Sequence, residues 1–301
     1  MNVLVAGGTG FIGSRLLESL RVDGHAVVLL TRSAAKAERR QTDGVRALEW
    51  GGPEWMKTLE KTDAVINLAG EGVADGRWSA ARKKRILDSR LESTRSLVAA
   101  IERAENRPKL LINASAVGFY GPRGDEGIDE SALPGEGFLP EVCVAWEREA
   151  LKAEALGLRV VLLRIGVVLG REGGALPRML LPFRLGLGGR LGSGAQWFPW
   201  IHVDDVVGLA KEALTNPGLS GPVNAVAPRS ATNAQFTAAL GDVLHRPTIA
   251  PVPAFALRLL LGEMSEMMLT GQRAVPAAAE KAGYRFRFPK INQCLSAILE
   301  K

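Results

Sequence analysis

Four glycines in seven residues, Gly7-Gly8-Thr9-Gly10-Phe11-Ile12-Gly13, form the densest chemical signal in the chain. They satisfy G-x-G-x-x-G at positions 8, 10 and 13 and G-x-x-G-x-x-G at 7, 10 and 13. The run directly follows Val3-Leu4-Val5-Ala6, a short apolar strand pattern, and opens an amphipathic helix from Ile12. In that context each glycine has a task. One permits the tight turn, one lets backbone approach a diphosphate, and one lets helix and strand pack closely. Free backbone N–H groups and the positive end of the helix dipole then meet the phosphate oxygens. Gly7 through Gly13 are therefore expected to contact a dinucleotide.

A second strand pattern, Ala26 to Leu30, leads into Thr31-Arg32-Ser33, with Arg32 placed 19 residues past Gly13. A site selective for NAD wants a carboxylate here, to accept from the ribose 2′-hydroxyl. A guanidinium flanked by two hydroxyls suits a 2′-phosphate instead, which points to NADP(H). A third segment, Asn67-Leu68-Ala69-Gly70-Glu71, follows the strand pattern that starts at Ala64. Leu68, Ala69 and Gly70 are small or apolar enough for a ligand to approach closely. Glu71 either accepts ribose hydroxyls or is an uninvolved loop carboxylate. Ser115 and Tyr120 follow the strand pattern Leu110 to Ala114, and both are candidates for proton transfer. Without a neighbouring lysine a tyrosine stays near its ordinary pKa of about 10 and is a poor base, so Tyr120 has packing or substrate contact as its alternative.

Other clusters are weaker. His202 with Asp204 and Asp205 has the residue types of a metal or acid–base site. The two aspartates also precede Val206-Val207-Gly208-Leu209-Ala210, so one of them is expected as a helix N-cap, and no metal is expected. Trp197, Phe198, Pro199 and Trp200 beside a glycine-rich stretch either pack the core or wall a substrate pocket. Cys143 and Cys294 lack metal-ligand spacing and read as reduced core thiols.

The elements that must position these residues alternate. Continuous apolar runs at Val3–Ala6, Ala26–Leu30, Ala64–Leu68, Leu110–Ala114 and Val160–Ile165 suit parallel strands buried on both faces. Amphipathic stretches at Ile12–Val22, Ala80–Arg103 and Glu141–Ala155 lie between them. The fold class expected is α/β, a doubly wound parallel Rossmann sheet with a smaller, helix-rich C-terminal cap. Residues 1–170 form the dinucleotide-binding domain on this reading, and 171–301 the partly interleaved cap. Glycines and prolines crowd residues 171–200, and 184–194 has the texture of a loop or lid.

Four segments in order carry a family resemblance: the glycine loop, Asn67-Leu-Ala-Gly70, Ala114-Ser-Ala-Val-Gly-Phe-Tyr-Gly121 and Trp200-Ile-His-Val-Asp-Asp-Val206. The chain resembles the extended short-chain dehydrogenase/reductases, the NAD(P)-dependent sugar epimerase/dehydratase group. Within that group it is similar to an atypical branch designated only as epimerase family proteins. Arg164-Ile-Gly-Val-Val-Leu-Gly170, Leu181-Pro-Phe-Arg-Leu-Gly-Leu-Gly-Gly189 and a helical module around Gly271-Gln-Arg273 carry that closer likeness. The resemblance adds Ala114, Ile165, Gly166 and Val167 to the expected cofactor contacts. It also implies a Ser/Thr, a Tyr and a Lys, with the Tyr as acid/base and the Lys lowering its pKa and holding the nicotinamide ribose. Here those positions fall at Ala116, near Val142 and near Trp146, and no Tyr-x-x-x-Lys occurs in the chain. Its two tyrosines are Tyr120 and Tyr284.

Composition narrows the function class. At 47% hydrophobic and 23% charged residues over 301, the chain can bury a sizeable core. A net charge of +6 without basic runs interleaved with aromatics gives no footprint for nucleic acid. No uncharged apolar stretch reaches membrane-spanning length, and the N-terminus lacks signal-peptide character, so a cytoplasmic protein is expected. Two functions fit. One is an NADP(H)-dependent oxidoreductase or epimerase-like enzyme for a small polar substrate, such as a sugar nucleotide, working as monomer or homodimer. The other is a non-catalytic NADP(H)-binding sensor or scaffold.

Overall fold

The computed structural model describes residues 1–38 and 45–300. Seven strands build one all-parallel sheet: β1 (Asn2–Ala6), β2 (Ala26–Thr31), β3 (Arg46–Glu49), β4 (Ala64–Asn67), β5 (Leu110–Ala116), β6 (Arg159–Ile165) and β7 (Gly221–Ala225). Their order across the sheet is β7-β6-β5-β4-β1-β2-β3, so the side on which strands are added switches between β1 and β4. Ligands of open α/β sheets bind in the crevice at such a switch point, beyond the carboxyl ends of the strands. Register brings those ends together: Ala6 lies opposite both Leu30 and Asn67, Asn67 opposite Asn113, and Ala116 opposite Ile165.

Both faces of the sheet are covered, which is why its inner strands are apolar without alternation. Val3, Val5, Ile66, Ile112, Val161 and Leu163 face one layer, formed by the helices Phe11–Val22 and Val203–Thr215. Leu4, Ala6, Val65, Leu111, Val160 and Leu162 face the other, with Leu97 and Ile101 of the helix Ala80–Arg103. The doubly wound class is as expected from sequence. Two strands escaped the periodicity. β3 is an edge strand with exposed Arg46 and Glu49, and β7 is the opposite edge and carries Pro222. Edge positions tolerate a proline because one side of the strand has no partner to receive an N–H.

The chain returns to the sheet after residue 170, so the boundary expected there divides the dinucleotide-binding unit: the helix Val203–Thr215 and β7 belong to that unit. The cap has a core of its own, in which Leu176, Leu180, Phe183, Trp200, Phe236, Leu240, Cys294 and Leu295 pack together. The glycine-rich stretch is not a loose lid. The Gly192 and Gly194 amides donate to the Val252 and Leu191 carbonyls, and Val252 N–H donates to the Arg190 carbonyl at 2.8 Å. No helix among the described residues is long and apolar enough to cross a membrane.

A buried carboxylate fastens the tail to the helix Val203–Thr215 beside the sheet. Asp205, fully buried, accepts from the backbone N–H of Arg287 (2.7 Å) and Phe288 (3.1 Å) and from the Tyr284 hydroxyl (3.2 Å). Burial first of all raises its pKa, against the pull of those donors. Neither Asp204 nor Asp205 is the N-cap anticipated from the sequence. That role falls to His202, whose Nδ1 accepts from the Asp204 N–H at 3.0 Å. Asp205→Ala would leave two partly buried N–H groups without their acceptors, each worth about 1–3 kcal/mol, and would also remove the side-chain partner of the Tyr284 hydroxyl. Denaturant unfolding should therefore show a loss of roughly 3 kcal/mol or more, and a variant as stable as the parent would contradict the anchoring role.

Candidate functional site

The glycine loop is a filled cradle with one open wall. Gly7 has φ of +78°, and a Cβ there would lie 2.5 Å from the Leu68 carbonyl carbon. A Cβ on Gly8 would meet Leu29 Cδ1 at 2.6 Å and Leu17 Cδ1 at 2.8 Å. One on Gly13 would strike the Gly7 carbonyl oxygen and Gly8 Cα, because helix and strand touch there. Gly10 differs: its Cβ would meet only the Gly7 oxygen, at 3.4 Å, and the residue is exposed beside Thr9. Gly10 is the N-cap of the helix Phe11–Val22, which has neither a side-chain cap nor an acidic residue in its first turn. Its first N–H groups thus face an open space at the positive end of the helix. The Phe11 ring fixes this end by packing on Gly170, Gly173 and Gly174, where a Cβ at Gly173 would come within 2.6 Å of Phe11 Cγ. Ile12 packs against the core beneath.

Beside this cradle, Arg32 projects into solvent at the end of β2, between the half-buried Thr31 and Ser33. Glu49, opposite Thr31 in register, lies in the same neighbourhood, and its carboxylate accepts from the Ala34 N–H at 2.9 Å. At the end of β4, the buried Asn67 amide donates to Thr94 Oγ1 (3.0 Å) and Asn113 Oδ1 (2.7 Å), while its oxygen accepts from the Ala69 N–H (3.1 Å). These bonds shape Leu68-Ala69-Gly70 against the glycine loop. Glu71 turns away, toward the helix Ala80–Arg103, where its carboxylate pairs with Arg82 and Arg85. Glu71, expected to accept ribose hydroxyls, is thus held by two arginines through Oε1.

The proton-transfer candidates are both buried in one hydrogen-bonded network. Ser115 Oγ donates to Glu147 Oε1 at 2.6 Å. Glu147, on the helix Phe138–Leu151, receives both Nε (2.9 Å) and Nη2 (2.8 Å) of Arg164 from β6. Arg164 Nη1 donates to the Tyr120 hydroxyl at 2.9 Å, and that hydroxyl donates to Asn224 Oδ1 of β7 at 2.7 Å. The guanidinium also lies over the Phe119 ring, 3.5 Å from its centroid. All five polar residues are buried, and Tyr120 has no exposed surface. Burial raises the Tyr120 pKa further. Tyr120 and Ser115, the acid–base candidates, thus lie inside a buried network in which each hydroxyl donates its proton to an internal acceptor and little or no surface is left for a substrate.

Sequence reasoning passed over Glu147 and Arg164. One signal was available. Arg164 is a charge within an otherwise apolar strand, Val160 to Ile165, and a buried charge requires a partner. Of the remaining expected contacts, Ala114 is buried within β5, while Ile165, Gly166 and Val167 stay half-exposed at the end of β6. The Trp146 indole, where the resemblance would place a lysine, donates to Thr94 Oγ1 at 2.9 Å. Burial first, and then Glu147, push the nearby Cys143 thiol up to about 12, so it is no nucleophile at neutral pH. Trp197 is held by Asp125, which accepts from its indole at 2.9 Å, and Trp200 is core.

Arg164→Met should lower unfolding free energy by about 3–5 kcal/mol, since it strands the Glu147 carboxylate. Tyr120→Phe should cost about 1–3 kcal/mol by leaving Asn224 and Arg164 each short of a partner. Thermal and denaturant melts check both. Parental stability in either variant would contradict the closed network.

A family model described as the NAD dependent epimerase/dehydratase family matches residues 3–225, and a domain of unknown function, DUF1731, matches 252–298. The chain is 45% identical over 306 residues to the chloroplastic epimerase family protein SDR39U1 homolog of Arabidopsis thaliana, covering 100% of this chain and 87% of that one. It is 42% identical over 301 residues to epimerase family protein YfhF of Bacillus subtilis, covering 99% and 98%. The crystal structure of human epimerase family protein SDR39U1 (isoform 2) with NADPH superposes with a TM-score of 0.90 at 38% identity, over 100% of both chains. With the family model spanning all seven strands, the chain belongs to the NAD-dependent epimerase/dehydratase family.

Proposed function

We propose that this protein binds NADP(H) in the crevice between the glycine loop and the carboxyl ends of β4 to β6, and works as an oxidoreductase or epimerase-like enzyme on a small polar substrate. The observation that carries the reading is the asymmetry of the cradle. Gly7, Gly8 and Gly13 are glycines because protein atoms fill the space beside them, whereas Gly10 borders an open wall at an uncapped helix start. A diphosphate fits that wall, held by backbone N–H groups. Exposed Arg32 suits a 2′-phosphate, and the Glu49 carboxylate, opposite Thr31 in register, is already engaged by the Ala34 N–H. The NADPH of the human relative, which aligns over this whole chain, supports the same cofactor. When bound, such a cofactor supplies hydride chemistry. The residues around it position it and exclude water.

The second reading, NADP(H) binding without turnover, is favoured by the closed network, which removes Ser115 and Tyr120 from proton exchange. An enzyme built this way would depend on an ordered water or on a group of the substrate for its proton.

Titration should show NADPH binding more tightly than NADH. Arg32→Asp should weaken NADPH selectively, because it sets a carboxylate against the 2′-phosphate. Equal affinities in the parent, or an unchanged preference in the variant, would overturn the assignment. Gly10→Val should remain folded, since its side chain enters open space, yet lose cofactor binding. A panel of carbonyl compounds and sugar nucleotides, followed by NADPH absorbance, separates enzyme from binding protein. If an activity appears, Tyr120→Phe should change its turnover by less than about threefold, whereas a general acid/base is worth about 100- to 10,000-fold.

A further inference from the structure

Arg90 is the unexplained charge of the crevice. It projects from the helix Ala80–Arg103 and is half-buried. Its Nη1 donates to two backbone carbonyls, Glu71 and Ile86, each at 2.9 Å. The guanidinium carbon lies 5.0 Å from the centre of the Trp146 ring. On the other side it abuts Gly70, where a Cβ would come within 3.3 Å of Arg90 Cγ and Cζ. Two carbonyls, an indole face and a glycine thus fix the guanidinium in place.

What it lacks is a direct ion pair, the Glu71 carboxylate acting on it only at longer range. Among the described residues no carboxylate pairs with Arg90, and no acceptor meets its Nε or Nη2. The Glu71 carboxylate, whose residue supplies one of those carbonyls, is taken by Arg82 and Arg85. Burial lowers the Arg90 pKa, so its charged form is short of solvation. A half-buried guanidinium held along one nitrogen, with the rest of its fork unmatched, is preorganised for oxygen ligands. Its place in the sheet says which ligand. A doubly wound sheet offers two mononucleotide-binding halves, one on each side of the switch point. The glycine loop and Arg32 serve the β1–β2–β3 half. Arg90 touches Gly70, beyond β4, and Trp146, on the helix joining β5 to β6, and so serves the other half.

We propose that Arg90 supplies, from a different helix, the cation that the absent lysine would have provided, and that its free edge holds the ribose hydroxyls of the nicotinamide half of the cofactor. The Trp146 side chain occupies the lysine position and serves as the platform on which this arginine rests. The assignment rests on the crevice being an NADP(H) site, as proposed above.

The experiment is calorimetric titration of NADPH, and of adenosine 2′,5′-bisphosphate, which ends before the second ribose, into the parent protein, Arg90→Gln and Arg90→Lys. Loss of hydrogen bonds to a charged donor should weaken NADPH by about tenfold or more in Arg90→Gln. Affinity for the bisphosphate should stay within about twofold, because its contacts lie on the other half and report that the crevice is folded. Arg90→Lys keeps the charge without the fork and should bind NADPH more tightly than Arg90→Gln. Unchanged NADPH affinity in Arg90→Gln, an equal fall for both ligands, or a lysine variant no tighter than the glutamine variant would each overturn the proposal. A parent protein that fails to bind the bisphosphate would instead overturn the cofactor reading itself.

Discussion

The bidentate ion pair between Arg164 and Glu147 is the constraint around which the carboxyl ends of β5, β6 and β7 are arranged. Both side chains are almost fully buried, at 5% and 6% exposure. Removing two charges from water is costly, and their attraction offsets this only when the geometry is good and the remaining donors and acceptors are satisfied. Here they are. Ser115 completes the carboxylate, Tyr120 and Phe119 complete the guanidinium, and Asn224 extends the chain of bonds to the sheet edge. Asn224 Nδ2 also donates to the Val275 carbonyl at 2.9 Å, and Glu130 accepts from the N–H groups of Asn224 and Ala278. One buried network therefore orders the sheet and docks the C-terminal module on it.

That network has a functional consequence. In the wider family, the ends of β5 and the following helix are where proton transfer is expected. In this chain the same region spends its hydroxyls on structure: Ser115 on Glu147, Tyr120 on Asn224 and Arg164, and the Trp146 indole on Thr94. The cofactor half of the crevice has not been altered in the same way. Gly10 keeps its open wall, and Asn67 shapes the loop beside it. The chain thus combines an open glycine cradle with a second half tied up in structural bonds, where Arg90 forms no ion pair among the described residues.

Much of this was legible in the sequence, for a physical reason. A glycine loop between a buried strand and an amphipathic helix is local, so its context can be read from neighbouring residues. The parallel sheet was equally legible in its inner strands, which are apolar on both faces. What could not be read depends on contacts between distant segments. Ser115 and Tyr120 carry the right functional groups, yet their roles are set by Glu147, Arg164 and Asn224, which lie 32, 44 and 104 residues away from their respective partners. Glu71 was ambiguous for the same reason: the arginines that hold its carboxylate lie on the next helix. The edge strands β3 and β7 were hidden because edge positions need not be apolar.

The most direct measurement of the central claim, an open cofactor cradle beside a second half tied up in structural bonds, is a crystal structure of the protein grown with NADPH. The account predicts the diphosphate against the backbone of residues 8–13, the second ribose within hydrogen-bonding reach of Arg90, and the Tyr120 hydroxyl still closed between Arg164 and Asn224. A nicotinamide ring in contact with a Tyr120 hydroxyl released from that network, or a diphosphate bound away from the glycine loop, would contradict it.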